Sequence, residues 1–269
     1  MKIGVAGCGH WGKNHVRNFK QLGVLWAVVD PTEEGRSRAY SLAPNAKVFS
    51  DFDEFLQEPL DGVVLATPAN SHAPLAAQAL RAGKDVLVEK PLALTYGEGS
   101  QLCDLADELD RMMMVGHVLE YHPSFLALVD EVQSGRLGEL HYIYSNRLSL
   151  GQVRREENVL WSFAPHDIEM LLTISGLHPK RVLAFGSQVL QPGVDDLVQV
   201  RLDFGGTLSG HVFLSWLNPI KEQRLVVVGS KALAVFDGVS GSLTRQDCSF
   251  EPSVGLVKGQ IETLSTCQV

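Results

Sequence analysis

The sequence is short of several things, and each shortage closes a possibility. Four cysteines occur in 269 residues, and Cys8, Cys103, Cys248 and Cys267 are scattered along the chain. None shares the close spacing of a metal-binding pair, so they read as reduced thiols of an intracellular protein, and no metal site is expected. No apolar run reaches the length that crosses a bilayer. Met1-Lys2-Ile3 leads straight into a strand pattern, which leaves no room for a signal peptide and predicts a cytoplasmic chain without a membrane partner. Positive charge is also scarce: 23 Lys and Arg face 31 Asp and Glu, a net charge of −8. A general nucleic-acid binder carries the opposite balance, so no nucleic acid is expected as partner.

What is present suffices for packed cores. Hydrophobic residues make up 45% of the chain and charged residues 20%, which excludes disorder. The length fits one large domain or two ordinary ones. Up to about residue 115 short apolar runs alternate with helical patterns. The runs are KIGVAG, VLWAVVD, AKVF, LDGVVLAT, KDVLVEK and MMMVG; helices are expected over 10–22, 32–42, 71–82 and 95–111. Such alternation, with strands apolar throughout, predicts a parallel sheet buried on both faces.

Beyond Tyr121 the pattern changes. A helix over 123–134 precedes the long alternating run GELHYIYSNRLSLG, and another helix is expected over 165–175. Four strand-like segments follow, KRVLAFGSQVL, DDLVQVRLDF, TLSGHVFLSW and EQRLVVVGS, with Gly205-Gly206 as a hairpin signal between two of them. The tail after Gly238 is rich in Ser, Thr and Gly and reads as loops or a weak strand. The expected fold is α/β: a dinucleotide-binding domain over 1–117, then an α+β domain over 118–269 with an open, mostly antiparallel sheet. That open sheet face suggests self-association, as a homodimer or homotetramer.

Residues 5–15, VAGCGHWGKNH, carry the first chemistry. Gly7, Gly9 and Gly12 follow a predicted strand and open a helix, the arrangement that cradles a pyrophosphate. Gly7 permits the tight turn, Gly9 lets backbone approach the phosphates, and Gly12 packs helix on strand. His10 and Trp11 lie inside the same loop. Asp30 ends the second strand eighteen residues after Gly12, where a carboxylate takes the ribose hydroxyls and repels the extra phosphate of NADP. NAD is therefore the expected cofactor of a Rossmann domain. Arg36 and Arg38 read as solvated helix positions.

Two further motifs, ATPANSH over 66–72 and EKP over 89–91, stand after the fourth and fifth strands. In register with the glycines they resemble the Gfo/Idh/MocA oxidoreductases, the glucose-fructose oxidoreductase and inositol dehydrogenase family. The resemblance runs through nearly the whole chain. The stretch YSNRLSLGQVRREENVLWSFAPHDI over 144–168 is similar to the branch that oxidises C3 of UDP-N-acetylglucosamine or its uronic acid in surface-polysaccharide synthesis. The resemblance implies that Thr67, Pro68, Asn70 and His72 line the cofactor, that Glu89 and Lys90 lie beside the nicotinamide, and that His166 faces it.

A histidine titrates near neutrality and suits the base for a hydroxyl proton. An ammonium such as that of Lys90 steadies a developing alkoxide. Glu169, on the same helix face as His166, is expected to orient the ring. Many family members carry an aspartate four residues before this histidine, where this chain has Ser162. Arg147, Arg154 and Arg155 offer guanidinium forks for a diphosphate or carboxylate, with Tyr121 and His122 edging the pocket. The expectation is an NAD-dependent dehydrogenase of a sugar or nucleotide sugar. The alternatives are a dehydrogenase of unlinked sugars or inositols, and a non-catalytic NAD(H)-binding protein.

Overall fold

The computed structural model describes residues 1–150, 157–251 and 255–266. The chain divides into two compact units, Met1–Gly116 and His117–Val269.

The first unit runs β1 (Ile3–Ala6), α1 (Gly12–Gln21), β2 (Leu25–Val29), α2 (Glu33–Leu42), β3 (Lys47–Phe49), α3 (Phe52–Leu56), β4 (Gly62–Leu65), α4 (His72–Arg81), β5 (Asp85–Val88), α5 (Tyr96–Glu108) and β6 (Met113–Val115). The strands form one parallel sheet in the order β3-β2-β1-β4-β5-β6. Successive side chains of a strand point to opposite faces, and here both faces are apolar. Val5, Val28 and Val64 pack with Val16 and Ala39 on one side. Ala6, Val29 and Leu65 pack with Phe55, Leu80 and Leu102 on the other. Burying each large side chain contributes about 1.5–3 kcal/mol. Short polar caps set the helix starts: Thr32, Asp51 and Thr95 accept from the amides of Gly35, Glu54 and Glu98, each worth about 1 kcal/mol.

The second unit opens with a 3-10 turn, Val118–Tyr121, then α6 (Pro123–Gln133), β7 (Leu140–Leu150), α7 (Val159–Ser175), β8 (Arg181–Ser187), β9 (Leu197–Gly205), β10 (Leu208–Ser215), β11 (Leu217–Gly229), β12 (Ala232–Asp237), β13 (Ser242–Glu251) and β14 (Gly255–Thr266). Its sheet has the order β14-β13-β12-β11-β7-β10-β9-β8. Only the β7–β10 pair is parallel among its described strands; the rest are antiparallel. Gly205 and Gly206 take φ of +88° and +63°, the backbone a tight hairpin between β9 and β10 requires. Phe125 and Leu128 of α6 and Leu171 and Ile174 of α7 bury against Val200, Leu202, Val212 and Phe236 of the sheet.

Two expectations need correction. Helix α7 begins at Val159, six residues before the expected start, where Asn158 accepts from the Trp161 amide. Pro165 therefore lies inside the helix and removes one backbone bond. The buried stripe Val159, Ala164, Met170, Leu171 and Ile174 holds the helix across that gap. The tail, read as loops or a weak strand, forms the paired strands β13 and β14. Charge as well as apolar contact ties them down: Leu243 is buried in the core with Leu264 against it, and Arg245 on β13 pairs with Glu131 of α6 at 3.0 Å and with Glu262, its cross-strand partner on β14, at 3.0 Å.

Candidate functional site

In the first unit the loops after β1, β4 and β5 all leave the carboxyl ends of a parallel sheet, where ligands bind in such sheets. Gly7 has φ +88°, and a Cβ there would lie 2.5 Å from the Ala66 carbonyl oxygen. A Cβ on Gly12 would come within 2.0 Å of the Gly7 carbonyl oxygen. The tight turn and the close seat of α1 thus both need bare backbone. Gly9 is different: nothing lies within 4 Å of a Cβ built on it, so it borders open space. That space is a pocket of about 390 Å³ lined by Gly9, His10, Lys13, Asp30, Thr32 and Arg38, with Glu34 and Gly35 at its edge.

Asp30 is fixed before any ligand arrives. Its Oδ2 accepts from the Cys8 amide at 2.8 Å, and its Oδ1 accepts from the Thr32 amide at 2.9 Å and hydroxyl at 2.6 Å. Oδ2, with one donor, keeps capacity for another such as a ribose hydroxyl. Glycine at 35 leaves the carboxylate its room, since a Cβ there would lie 2.1 Å from the Asp30 carboxyl carbon. Arg36 and Arg38 are not solvated helix positions. Arg36 donates to the carbonyls of Asp30 and Pro31, and Arg38 donates to the Cys8 carbonyl and pairs with Glu34. Arg36 pins the turn that carries Asp30, and Arg38 ties α2 to the glycine loop. The signal missed in the sequence is their spacing, which returns them to the start of α2.

Glu89 gathers the other loops. Its Oε1 accepts from Trp11 Nε1 at 2.5 Å and lies 2.7 Å from His15 Nε2. Burial opposes its charge, but the bonds from His15 and Trp11 outweigh it and hold the carboxyl below its ordinary range. His15 was not expected here; it lies one turn after Trp11 on the same helix face. Lys90 follows Glu89, half buried, before a cis peptide bond to Pro91. The Thr67 hydroxyl accepts from Ser71, Pro68 caps the 3-10 turn Ala69–Ser71, and Asn70 is exposed. His72 does not line the pocket. It is 1% exposed, and its ring nitrogens lie 2.7 and 2.9 Å from the carbonyls of Pro91 and Thr67. It braces the loops after β4 and β5.

In the second unit His166 lies on α7, with the ring of His117 edge-on at 6.3 Å between centroids. The Thr173 hydroxyl donates to Glu120 Oε2 at 3.0 Å. Burial pushes the Glu120 carboxyl up, and the charge of Glu169 adds to the shift against the Thr173 bond. Tyr121 is exposed. Three expectations are corrected or fall outside. Arg147 is buried and binds Asp167 through Nε and Nη2, so its fork holds the core of the unit and does not face a ligand. His122 caps α6, accepting from the Ser124 amide, and its ring lies 5.0 Å from that of Phe236. Arg154 and Arg155 lie outside the described residues.

A glycine cradle, a fixed ribose-type carboxylate and six parallel strands in this order define a dinucleotide-binding oxidoreductase domain. Residues 1–117 match the model of the oxidoreductase family with an NAD-binding Rossmann fold, and residues 125–235 match the GFO/IDH/MocA C-terminal domain. The chain belongs to the GFO/IDH/MocA oxidoreductase family, and its cofactor is NAD. It is 28% identical over 187 residues to UDP-N-acetylglucosamine 3-dehydrogenase of Acidithiobacillus ferrooxidans, covering 69% of this chain and 58% of that protein. The structure of that enzyme superimposes over 100% of this chain and 84% of its own with a TM-score of 0.86 at 24% identity. Myo-inositol 2-dehydrogenase of Thermotoga maritima is 26% identical over 253 residues, 89% of this chain and 76% of that one. The WlbA dehydrogenase of Bordetella pertussis, solved with NADH and UDP-GlcNAcA, shares the fold at a TM-score of 0.82 and 22% identity, over 90% of this chain and 80% of its own. No helix among the described residues is long and apolar enough to cross a membrane.

Proposed function

We propose that the chain oxidises a secondary alcohol of a sugar, C3 of a UDP-linked N-acetylhexosamine or its uronic acid. The observation that supports the reading is the cradle of bare backbone at Gly7 and Gly12 beside an Asp30 carboxylate fixed by the Cys8 and Thr32 amides. Gly9, His10, Asp30 and Thr32 would hold the adenosine and pyrophosphate half, and Thr67, Pro68, Asn70, Glu89 and Lys90 the nicotinamide half. When bound, NAD supplies the acceptor for the hydride from the carbinol carbon. His166 takes the hydroxyl proton. The Lys90 ammonium stabilises negative charge as it grows on the alcohol oxygen. The nucleotide-sugar substrate is supported by the names of two relatives, one a 3-dehydrogenase of UDP-N-acetylglucosamine and one solved with UDP-GlcNAcA.

NADH formation tests the reading with UDP-N-acetylglucosamine and its uronic acid set against myo-inositol and glucose. The expected result is turnover of a nucleotide sugar, reduced about 10²- to 10⁴-fold in His166→Asn. Turnover of the unlinked sugars alone would overturn the substrate. Tight NADH binding without turnover of any of the four would favour a binding protein, a reading that Ser162 motivates.

The same proposal extends to assembly: a second copy of the chain covers the face of the second sheet turned away from α7. Leu183, Phe185, Tyr142, Tyr144 and Phe213 share that face, and Phe185 is 69% exposed.

A further inference from the structure

The pocket beside Gly9 contains a residue that an NAD site does not call for. Of the two permanent cations that line it, Lys13 stands on α1, the helix that opens at the glycines, and Arg38 on α2, the helix that follows Asp30. Cys8 brings Arg38 to the acid: its amide donates to Asp30 Oδ2 at 2.8 Å, and its carbonyl accepts from Arg38 Nη1. An arginine at this corner is the group that takes the extra ribose phosphate in NADP enzymes. Here it is engaged. Arg38 Nη2 pairs with Glu34 Oε1, one helical turn earlier on α2. The two-nitrogen edge that would fork a phosphate therefore has a partner at each tip. The first turn of α2 also carries Glu33 and Glu34, whose charges offset the positive helix end that draws an anion. Arg36, the other cation of this turn, is tied to the carbonyls of Asp30 and Pro31.

We propose that Glu34 is a second determinant of the NAD preference: it holds and neutralises the Arg38 guanidinium that would otherwise receive the 2′-phosphate of NADP. Asp30 acts directly, by repelling that phosphate. Glu34 acts through Arg38. The Glu34 side chain is 84% exposed and that of Arg38 31%, so the pair adds little to stability and its effect lies in the charge it leaves at the pocket. With both acids in place, the corner formed by Asp30, Glu34 and Arg38 keeps one net negative charge. Without the Glu34 charge the corner is neutral, and its guanidinium can turn to a phosphate. Gly35 lies buried between the two acids and lines the same pocket. The inference needs the dinucleotide pocket of the first unit alone and is independent of the sugar that is oxidised.

Fluorescence titration of the full chain with NADPH and with NADH reads the ratio of their dissociation constants. Glu34→Gln should lower the NADPH-to-NADH ratio about tenfold at low salt. The gain should shrink to about twofold at about 0.5 M salt, where exposed charges are screened; a change in packing would not respond in this way. Glu34→Gln combined with Arg38→Gln removes the anion and the cation together and should return the ratio to the parent's. Glutamine at 38 keeps a donor for the Cys8 carbonyl, and NADH binding in each variant shows that the pocket is formed. The same variants made on Asp30→Asn should show the same step, which keeps the readout open should the parent bind NADPH too weakly to titrate. A ratio that Glu34→Gln leaves unmoved in both backgrounds overturns the inference. So does a gain that persists without Arg38 or that salt does not screen. Titration needs no turnover, so a chain that binds NADH and oxidises none of the sugars sinks the proposed substrate and leaves this inference to its own result.

Discussion

At the scale of single residues, the three glycines of the first loop do different work, and space distinguishes them. Gly12 is needed by the fold: a Cβ there would stand 2.0 Å from the Gly7 carbonyl oxygen and 2.8 Å from its carbon, both rigid backbone. Gly9 borders the pocket with nothing within 4 Å of its Cβ position. Gly12→Ala should therefore destabilise the chain by about 3 kcal/mol, read as a lowered thermal midpoint. Gly9→Ala should change stability by less than about 0.5 kcal/mol while weakening NADH binding about tenfold, read by fluorescence titration. Equal loss of stability in both variants would show that the space beside Gly9 is not reserved for a ligand.

At the scale of elements, α7 shows how a buried ion pair sets a helix on a sheet. Asp167 is 1% exposed and takes Arg147 and Ser145 of β7 as its partners. Removing one member strands the other charge away from water, so Asp167→Asn should cost about 3–5 kcal/mol, while an apolar replacement of both members should recover most of it. Chemical denaturation of the single and double variants measures the difference. The pair also marks what sequence reasoning reaches. The parallel sheet, the glycine turn and Asp30 were legible because their signals are local: apolar strands, a turn needing bare backbone, an acid at a strand end. Arg147 was misread because its partner stands twenty residues on, and a guanidinium fork looks the same whether it meets a ligand or a buried aspartate. His72 and His122 were misplaced for the same reason, their partners being backbone groups brought in by the fold. The start of α7 was hidden behind Pro165, whose cost the buried stripe outweighs, and β13 and β14 were hidden because partners distant in sequence, the Glu131 ion pair and the core around Leu243, help hold them.

At the scale of the whole molecule, the second sheet raises the question of what covers its outer face. Its inner face is sealed by α6 and α7, yet Phe185 is 69%, Leu183 48% and Tyr142 42% exposed on the other side. A groove of about 330 Å³ on this sheet is lined by Tyr142, Tyr144, His211 and Phe213. Apolar side chains gathered on one side of a sheet are costly in water and mark a contact surface. A two-fold contact between copies uses the same patch on each, which one continuous sheet face can supply. A stable contact of this kind buries about 800 Å² on each partner, and the five strands from β8 to β11 supply the width. Burial and the charge of Arg201 already hold the His211 imidazole below its usual range, so a proton there is disfavoured before any partner arrives. Phe185→Asp with Tyr142→Asp places two carboxylates in the middle of the face, each costly to bury unpaired. Sedimentation velocity at micromolar concentration should find the parent chain as a dimer or tetramer and the double variant as a monomer with its NADH affinity intact. A parent chain that sediments as a monomer at every concentration would remove self-association from the proposal and leave the apolar face to another partner.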